Sequence, residues 1–277
     1  SLKSSVCKDI IKNHLKKNLN MKSFELLKSP IKSIGDKKEY RLIKLKNNIK
    51  ALLISTAENE ETADPLAAIN LSVRVGSFDE DKIEGLAHFL EHMFFRGSEE
   101  FPKDDEMHDF AQNNGGFSNA WTSDETTEYF VSVVEDKFQE AVCRLSDMLI
   151  SPLMLKSSMN QERELVDSEF HQLAKHSYLH KDQVMKLFLN QKHPVSKFNV
   201  GNLVTLKENV NDDELHEALM KLRKKYTADK MGICLQSNRS LDDLQEIVIE
   251  KFSEISNNLE EDDEEWRELS WHEIPTE

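Results

Sequence analysis

Two histidines and a glutamate in the segment His88-Phe89-Leu90-Glu91-His92 have the side chains and the spacing for metal chemistry. On a helix, residues four apart lie one above the other on the same face, so the two imidazoles can bind a single zinc ion. Glu91 precedes His92 and lies close enough to reach a water molecule at that ion. Two neutral nitrogen ligands and a nearby carboxylate are the groups that a zinc hydrolase requires.

The order of the motif is H-x-x-E-H, the inverse of the commoner H-E-x-x-H, and it is a metallopeptidase signature. A catalytic zinc ion takes three protein ligands and keeps one position for water, so a third ligand must come from elsewhere. A predicted helix over 157–173 offers Glu162, Glu164, Asp167, Glu169 and His171. Glu162 and Glu169 share a face of that helix, so one can bind the metal while the other hydrogen-bonds a histidine ligand. Spacing alone leaves open which residue takes which role.

Length and composition place these residues in a globular protein. The chain has 277 residues, of which 38% are hydrophobic and 31% are charged, enough for one large domain or two small ones. No apolar run reaches the length that spans a bilayer, so no transmembrane segment is predicted. Cys7, Cys143 and Cys234 are far apart and lack zinc-ribbon spacing. Unpaired cysteines favour a reducing compartment; we predict the cytoplasm, with the mitochondrion as the alternative.

Charge divides the chain into three segments. The net charge is −15, although the first fifty residues are rich in lysine. An acidic surface argues against nucleic acid as the main partner. Apolar residues at helical spacing between lysines predict a basic amphipathic helix near the N-terminus. We therefore predict a basic helix and linker over 1–39, the main domain over 40–258, and an acidic tail or linker to a missing next domain over 259–277.

Hydrophobic periodicity predicts the elements that position the motif. Strands are predicted at 40–45, 49–55, 67–75, 117–122, 126–134 and 231–236. Helices are predicted at 86–95, 104–113, 137–150, 157–173, 177–189, 212–226 and 241–255. The elements do not follow a strict βαβ order, and the neighbouring strands within 117–134 should pair antiparallel. This pattern favours an α/β (α+β) fold with a mixed, largely antiparallel sheet and helices packed mainly on one face.

Longer motifs surround the five-residue pattern. Residues 85–93 read GLAHFLEHM, residues 116–122 read GFSNAWT, and residues 166–169 read VDSE. Together they resemble the metal helix, the substrate-binding edge strand and the third-ligand segment of the M16 metallopeptidases, the inverzincins. The resemblance runs from about residue 40 to residue 258 and implies an M16 peptidase-like domain. Ordered motifs over that length are far more specific than H-x-x-E-H alone.

The resemblance implies a role for each residue of the metal site. His88, His92 and Glu169 would bind one Zn²⁺ per chain. Glu91 would be the general base, taking a proton from a water molecule at the metal as that water attacks a peptide carbonyl. Glu162 falls on the family's supporting acidic position and is counted with Glu91 among the catalytic residues. The implied activity is that of a zinc metalloendopeptidase.

The resemblance also implies how peptides bind and what else the enzyme needs. Asn119 and Ala120 would pair, main chain to main chain, with an extended peptide substrate. The most similar subgroup, insulin-degrading-enzyme-like or nardilysin-like, has four related domains in one much longer chain. We therefore expect a first-domain fragment that is weakly active or inactive alone, and whose partners are the missing C-terminal domains or a separate subunit. Its uncovered apolar surface predicts self-association.

One departure and one alternative stay open at this point. A nardilysin-like chain would carry a long acidic insertion before the metal helix, and only the short acidic segment 58–64 is present. The subgroup is therefore not decided. The alternative function is a non-cutting module of the same fold that binds a peptide or a partner, because no residues of a second half are present to complete the site.

Overall fold

A seven-stranded sheet runs through the part of the chain that the computed structural model describes, residues 23–56 and 65–257. The predicted basic helix before residue 23, the acidic segment 58–64 and the acidic tail 259–277 lie outside the described residues. The strands are β1 (Phe24–Leu26), β2 (Glu39–Leu45), β3 (Lys50–Ser55), β4 (Leu66–Val73), β5 (Phe117–Thr122), β6 (Thr127–Val134) and β7 (Met231–Ser237).

The strand order is β1-β2-β3-β7-β4-β6-β5, so β5 forms one edge of the sheet and β7 lies at its centre. Strands β3 and β7 run parallel, with a register from Lys50 opposite Gly232 to Ser55 opposite Ser237. Every other neighbouring pair of this sheet is antiparallel. The predicted mixed, largely antiparallel sheet is therefore confirmed.

Seven helices of eight or more residues accompany this sheet within the described ranges. They are α1 (Leu86–Phe94), α2 (Glu106–Asn113), α3 (Phe138–Ile150), α4 (Lys156–Leu173), α5 (Ser177–Lys186), α6 (Asp212–Arg223) and α7 (Leu241–Phe252). Each predicted helix is present, with ends that agree to within three residues. None of the helices in the described ranges combines the length and apolar character that a membrane crossing requires.

The core lies between one face of the sheet and the helices. In β4, Leu71 and Val73 are fully buried, whereas Ser72 between them points to the opposite face and is only half-buried. Such alternation is expected when one face of a strand is covered. Phe89 of α1 and Phe138 of α3 are also fully buried and belong to the same apolar core. Helices packed mainly on one face of the sheet, as predicted, account for this pattern.

Strand β1 differs from the sequence prediction. Residues 21–39 were predicted as a linker, but Phe24–Leu26 pairs antiparallel with the segment of β2 from Ile43 to Leu45. Three residues are too few to show an alternating pattern, so the sequence carries no signal for this strand. The sheet therefore begins before the predicted domain start at residue 40. The predicted end at residue 258 stays a prediction.

Helix α1 is capped by a side chain from the preceding turn. Glu80 is 5% exposed, and its two carboxylate oxygens accept hydrogen bonds from the backbone N–H groups of Gly85 (3.0 Å) and Ala87 (2.8 Å). These amides have no partner within the helix, and a carboxylate at this end also interacts favourably with the helix dipole. Lys197 holds the turn by donating to the carbonyls of Glu80 (3.1 Å) and Asp81 (2.8 Å).

The start of α1 packs against a second glycine. Gly85 has φ +81° and Gly201 has φ +82°, a region that residues with a Cβ rarely adopt. A Cβ on Gly85 would lie 2.2 Å from the Cα of Gly201. The two backbones therefore touch, and only glycine at residue 85 allows the loop around residue 200 to lie against the start of α1.

Substitution of Gly85 by alanine tests this contact. We expect Gly85→Ala to lower the free energy of unfolding by at least about 2 kcal/mol, because the added Cβ meets backbone and the backbone conformation is unfavourable. Chemical denaturation followed by circular dichroism measures the change. Gly232→Ala is the matched control, since a Cβ there has no atom within 4 Å. Equal effects of the two substitutions would contradict the packing argument.

Candidate metal centre

Helices α1 and α4 bring three ligand-type atoms together. The Nε2 atoms of His88 and His92 are 3.3 Å apart, and each lies 3.5 Å from Oε2 of Glu169. The two histidines lie one turn apart on α1, and Glu169 comes from the C-terminal half of α4. Within the described ranges, these three residues are the group of histidine and carboxylate side chains arranged to hold a metal ion.

The spacing of these atoms fits a tetrahedral zinc ion. Zinc binds histidine nitrogen and carboxylate oxygen at about 2.0–2.1 Å. Two ligands at tetrahedral angles are then about 3.3–3.4 Å apart. The distances of 3.3, 3.5 and 3.5 Å match one face of such a tetrahedron, and its fourth corner is left for a water molecule or a substrate.

Hydrogen bonds on the far side of each imidazole turn the lone pairs toward one another. Nδ1 of His88 lies 2.7 Å from the carbonyl oxygen of Val200, which can only accept, so this nitrogen carries the hydrogen. Nδ1 of His92 likewise lies 3.1 Å from Oε2 of Glu162. In the neutral rings both Nε2 atoms are then acceptors, and they face the acceptor oxygen of Glu169. Three acceptors at this distance require a cation or extra protons between them.

The carboxylates make the site attractive to positive charge. Burial alone would lower the pKa of His92, but hydrogen bonds to Glu162 and Glu169 outweigh it and raise this pKa to about 9. The same histidines, His88 first and then His92, hold the pKa of Glu169 far below its usual range. A site that favours a proton on imidazole and a charged carboxylate also favours a metal cation. The proton and the metal cation then compete for the same nitrogen.

Glu91 lies beside the three ligand-type side chains and is held by the edge strand. Its side chain is buried, and Oε2 accepts a 2.5 Å hydrogen bond from Oγ1 of Thr122 in β5. Burial raises the pKa of Glu91, against the opposing effects of His88 and Thr122. The sequence motif included Thr122, but no feature of its residue type indicated a contact with Glu91.

Glu162 lies behind His92 and is almost inaccessible, at 1% exposure. One carboxylate oxygen accepts from His92, and the other forms an ion pair with Nη2 of Arg96. Arg96 is 3% exposed and was not among the predicted site residues. Its only sequence signal is its position four residues after His92, just beyond the end of α1.

The other candidates on α4 point elsewhere. Glu164 is exposed and pairs with Lys207 at 3.2 Å. Asp167 accepts a hydrogen bond from the amide of Leu203 (2.9 Å) and contacts His171 at 3.3 Å. The structure therefore separates Glu162 and Glu169, which face the histidines, from the remaining acidic residues of this helix.

A cavity of about 470 Å³ opens above the three ligand-type residues. The predicted substrate residues Asn119 and Ala120 line it, together with Trp121 and Thr122 of the same strand. Because β5 is the last strand of the sheet, its outer edge borders this cavity. His108 also lines it, with its ring 4.6 Å from that of Phe95.

Comparison with known proteins identifies relatives of the chain. A family model described as "Insulinase (Peptidase family M16)" matches residues 55–196. Insulin-degrading enzyme from Mus musculus is 38% identical over 231 residues, which are 82% of this chain and 22% of the relative. A-factor-processing enzyme from Saccharomyces cerevisiae is 35% identical over 243 residues, 86% of this chain and 23% of the relative. The crystal structure of pitrilysin superposes with a TM-score of 0.78 at 30% identity, covering 85% of this chain and 25% of pitrilysin. The chain thus spans about a quarter or less of the length of these relatives.

Metal analysis tests the geometry of the three ligand-type residues. We expect the purified chain to bind one zinc ion, and Glu169→Ala to weaken zinc binding by at least about 100-fold, because loss of a direct ligand exceeds the effect of a supporting residue. Elemental analysis and titration against a chromophoric chelator measure stoichiometry and affinity. Glu164→Ala is the control, since Glu164 lies on the same helix but pairs with Lys207 at the surface. Equal zinc affinity of the two variants would remove Glu169 from the site.

Proposed function

This chain belongs to the insulinase family of peptidases, family M16, and on that premise we propose that it is the zinc-binding domain of a metalloendopeptidase that hydrolyses extended peptides. The observation that carries the proposal is the set of acceptors formed by His88, His92 and Glu169, with the carboxylate of Glu91 beside it. The family match covers residues 55–196 and so includes all four positions.

The ligand set suits zinc, and zinc suits the reaction. His88, His92 and Glu169 would hold the ion; when bound, it lowers the pKa of a water molecule and polarises a peptide carbonyl. Nitrogen and oxygen donors of this kind, with a fourth position free, are typical of catalytic rather than structural zinc sites. The rest of the chemistry depends on residues of the chain.

Glu91 provides acid–base catalysis. Its carboxylate accepts a proton from the attacking water and delivers that proton to the amine of the leaving peptide. Burial raises the pKa of Glu91, and this brings the carboxylate nearer to the working pH of a general base. The hydroxyl of Thr122 occupies one carboxylate oxygen, so the other oxygen is the one that faces the reaction.

The edge strand β5 would bind the substrate. An extended peptide can pair with the outer edge of a terminal strand through main-chain hydrogen bonds. The N–H of Ala120 donates to Oδ1 of Asn119 at 3.0 Å, a local contact that a bound peptide would replace. Because Thr122 is on this strand and contacts Glu91, a peptide along β5 would lie next to the general base.

The chain covers a small part of its relatives, so we propose that full activity needs further residues. Such residues would come from additional domains of the same protein or from a partner subunit, and the isolated chain would then cut peptides slowly or not at all. Tyr178, Leu187 and Phe188 are 70–75% exposed, and this apolar surface supports the proposal of self-association. The cytoplasmic or mitochondrial location and the absence of a nucleic-acid partner stay predictions.

The non-cutting alternative is less well supported. A module that only binds peptides has no need of a buried carboxylate beside a metal site. Burying Glu91 costs free energy, and its hydrogen bond to Thr122 offsets that cost only in part. A catalytic role explains why such a group is retained.

Substitution of Glu91 separates binding from cleavage. We expect Glu91→Gln to keep one zinc ion per chain. Once the proposed additional domains or partner subunit are supplied, it should lower chelator-sensitive cleavage of internally quenched peptides by at least about 100-fold, because the amide cannot accept a proton. Zinc analysis and peptide fluorescence are measured on the same zinc-loaded preparations. Glu99→Gln, an exposed residue, is the control and should match the unsubstituted chain.

Two outcomes would contradict the proposed function. Equal and measurable cleavage with and without Glu91→Gln would exclude Glu91 as the base. If the zinc-loaded chain binds a fluorescent peptide but cuts none even with the proposed additional domains or partner subunit, the non-cutting module is supported instead.

A further inference from the structure

A buried arginine extends the candidate metal centre by one more residue. Arg96 follows the C-terminus of α1 and is 3% exposed. Its Nη2 atom pairs with Oε1 of Glu162, while Nη1 lies 3.6 Å from Oδ2 of Asp105 and 3.8 Å from Oδ2 of Asp104. Neither the family match nor the sequence motifs assign a role to this residue.

The contact with Glu162 dominates the environment of Arg96. Both side chains of this pair are almost fully removed from water, so their attraction is screened little. Asp104 and Asp105 are about half exposed, and their distances to Nη1 are longer, so they contribute less. Arg96 therefore acts mainly on one group, the carboxylate of Glu162.

Each oxygen of Glu162 has its own partner. Oε1 faces Arg96, and Oε2 lies 3.1 Å from Nδ1 of His92. A carboxylate held at both oxygens cannot rotate about its terminal torsion without losing one of these contacts. The orientation of the His92 ring, and so the direction of its Nε2 lone pair, is set by the same arrangement.

We infer that Arg96 is a positioning residue: it holds the Glu162 carboxylate so that His92 presents Nε2 to the zinc ion. This inference rests on the proposed function, because it concerns zinc binding by His88, His92 and Glu169. Among the described residues, Arg96 forms its ion pairs with Glu162, Asp104 and Asp105 and none with a proposed metal ligand, so its effect passes through Glu162.

The sign of the effect separates positioning from simple electrostatics. A guanidinium cation near a zinc ion repels it, so its removal should tighten zinc binding if the charge acts only through space. If Arg96 positions Glu162, its removal should weaken zinc binding instead. If Arg96 only ties the end of α1 to the loop of Asp104 and Asp105, its removal should leave the zinc affinity of a folded protein unchanged.

A double-mutant cycle on the whole chain tests the inference. Zinc dissociation constants are measured by chelator competition for the unsubstituted chain, Arg96→Met, Glu162→Gln and the double variant. We expect Arg96→Met to raise the dissociation constant about 10-fold, as is typical for residues that support a ligand. In the Glu162→Gln background, Arg96→Met should cause no further weakening, because the group through which it acts has been replaced.

Two further readouts guard against a folding defect. Far-ultraviolet circular dichroism of the metal-free variants checks that they fold. The visible spectrum of the cobalt-substituted chain reports the ligand geometry, and this spectrum should change in Arg96→Met. Arg96→Lys keeps the charge and should recover part of the affinity, and it decides the question if Arg96→Met does not fold. Asp104→Asn with Asp105→Asn is the control and should leave the dissociation constant within about 2-fold.

The outcomes distinguish this inference from the proposed function. If the unsubstituted chain binds no zinc, the proposed function fails and the inference fails with it. If that chain binds zinc but Arg96→Met binds it equally or more tightly, only the role of Arg96 is overturned. An equal weakening by Arg96→Met in both backgrounds would also overturn it, because the effect would then not pass through Glu162.

Discussion

Three acceptor atoms that repel one another form the candidate metal centre, and the neighbouring elements must hold them together. The Nε2 atoms of His88 and His92 and the carboxylate of Glu169 face one another across 3.3–3.5 Å, an arrangement that is unfavourable until a cation lies among them. The surrounding elements therefore hold each group from behind. Val200 and Glu162 fix the two rings, and Glu80 caps the helix that carries both. The site so held favours a cation, either a proton on the His92 imidazole or a metal ion.

The candidate site joins two parts of the fold through short contacts. Helices α1 and α4 supply the ligand-type residues, and the edge strand β5 supplies Thr122, which holds Glu91. A peptide that pairs with β5 would thus lie along the same strand that orients the general base. Displacement of β5 would disturb peptide binding and proton transfer together, so the two steps are mechanically linked. This link explains why a half-buried, polar Thr122 side chain is found at the end of an edge strand.

The sequence predicted the elements well because their patterns are long. The periodicity of 138–150 and the alternation of 67–73 leave one assignment, and the H-x-x-E-H spacing places both histidines on one helix face. The sequence could not decide which of Glu162 and Glu169 is the third metal ligand, since both share a face of α4. Only the packing of α4 on α1 separates their positions. Strand β1 was missed because three residues carry no period. The contact of His88 with Val200 uses a main-chain carbonyl, and main-chain contacts leave no trace in residue type.

The central position of β7 has a consequence for synthesis of the chain. Strands β3 and β4 flank β7 in the sheet, yet β7 is the last strand to be made among the described residues. All the candidate metal residues emerge from the ribosome before β7, while β3 and β4 still present unpaired edges. Such edges are prone to pair with other chains. Until residues 231–237 are made, the strand that joins β3 to β4 is missing and the two halves of the sheet stay separate.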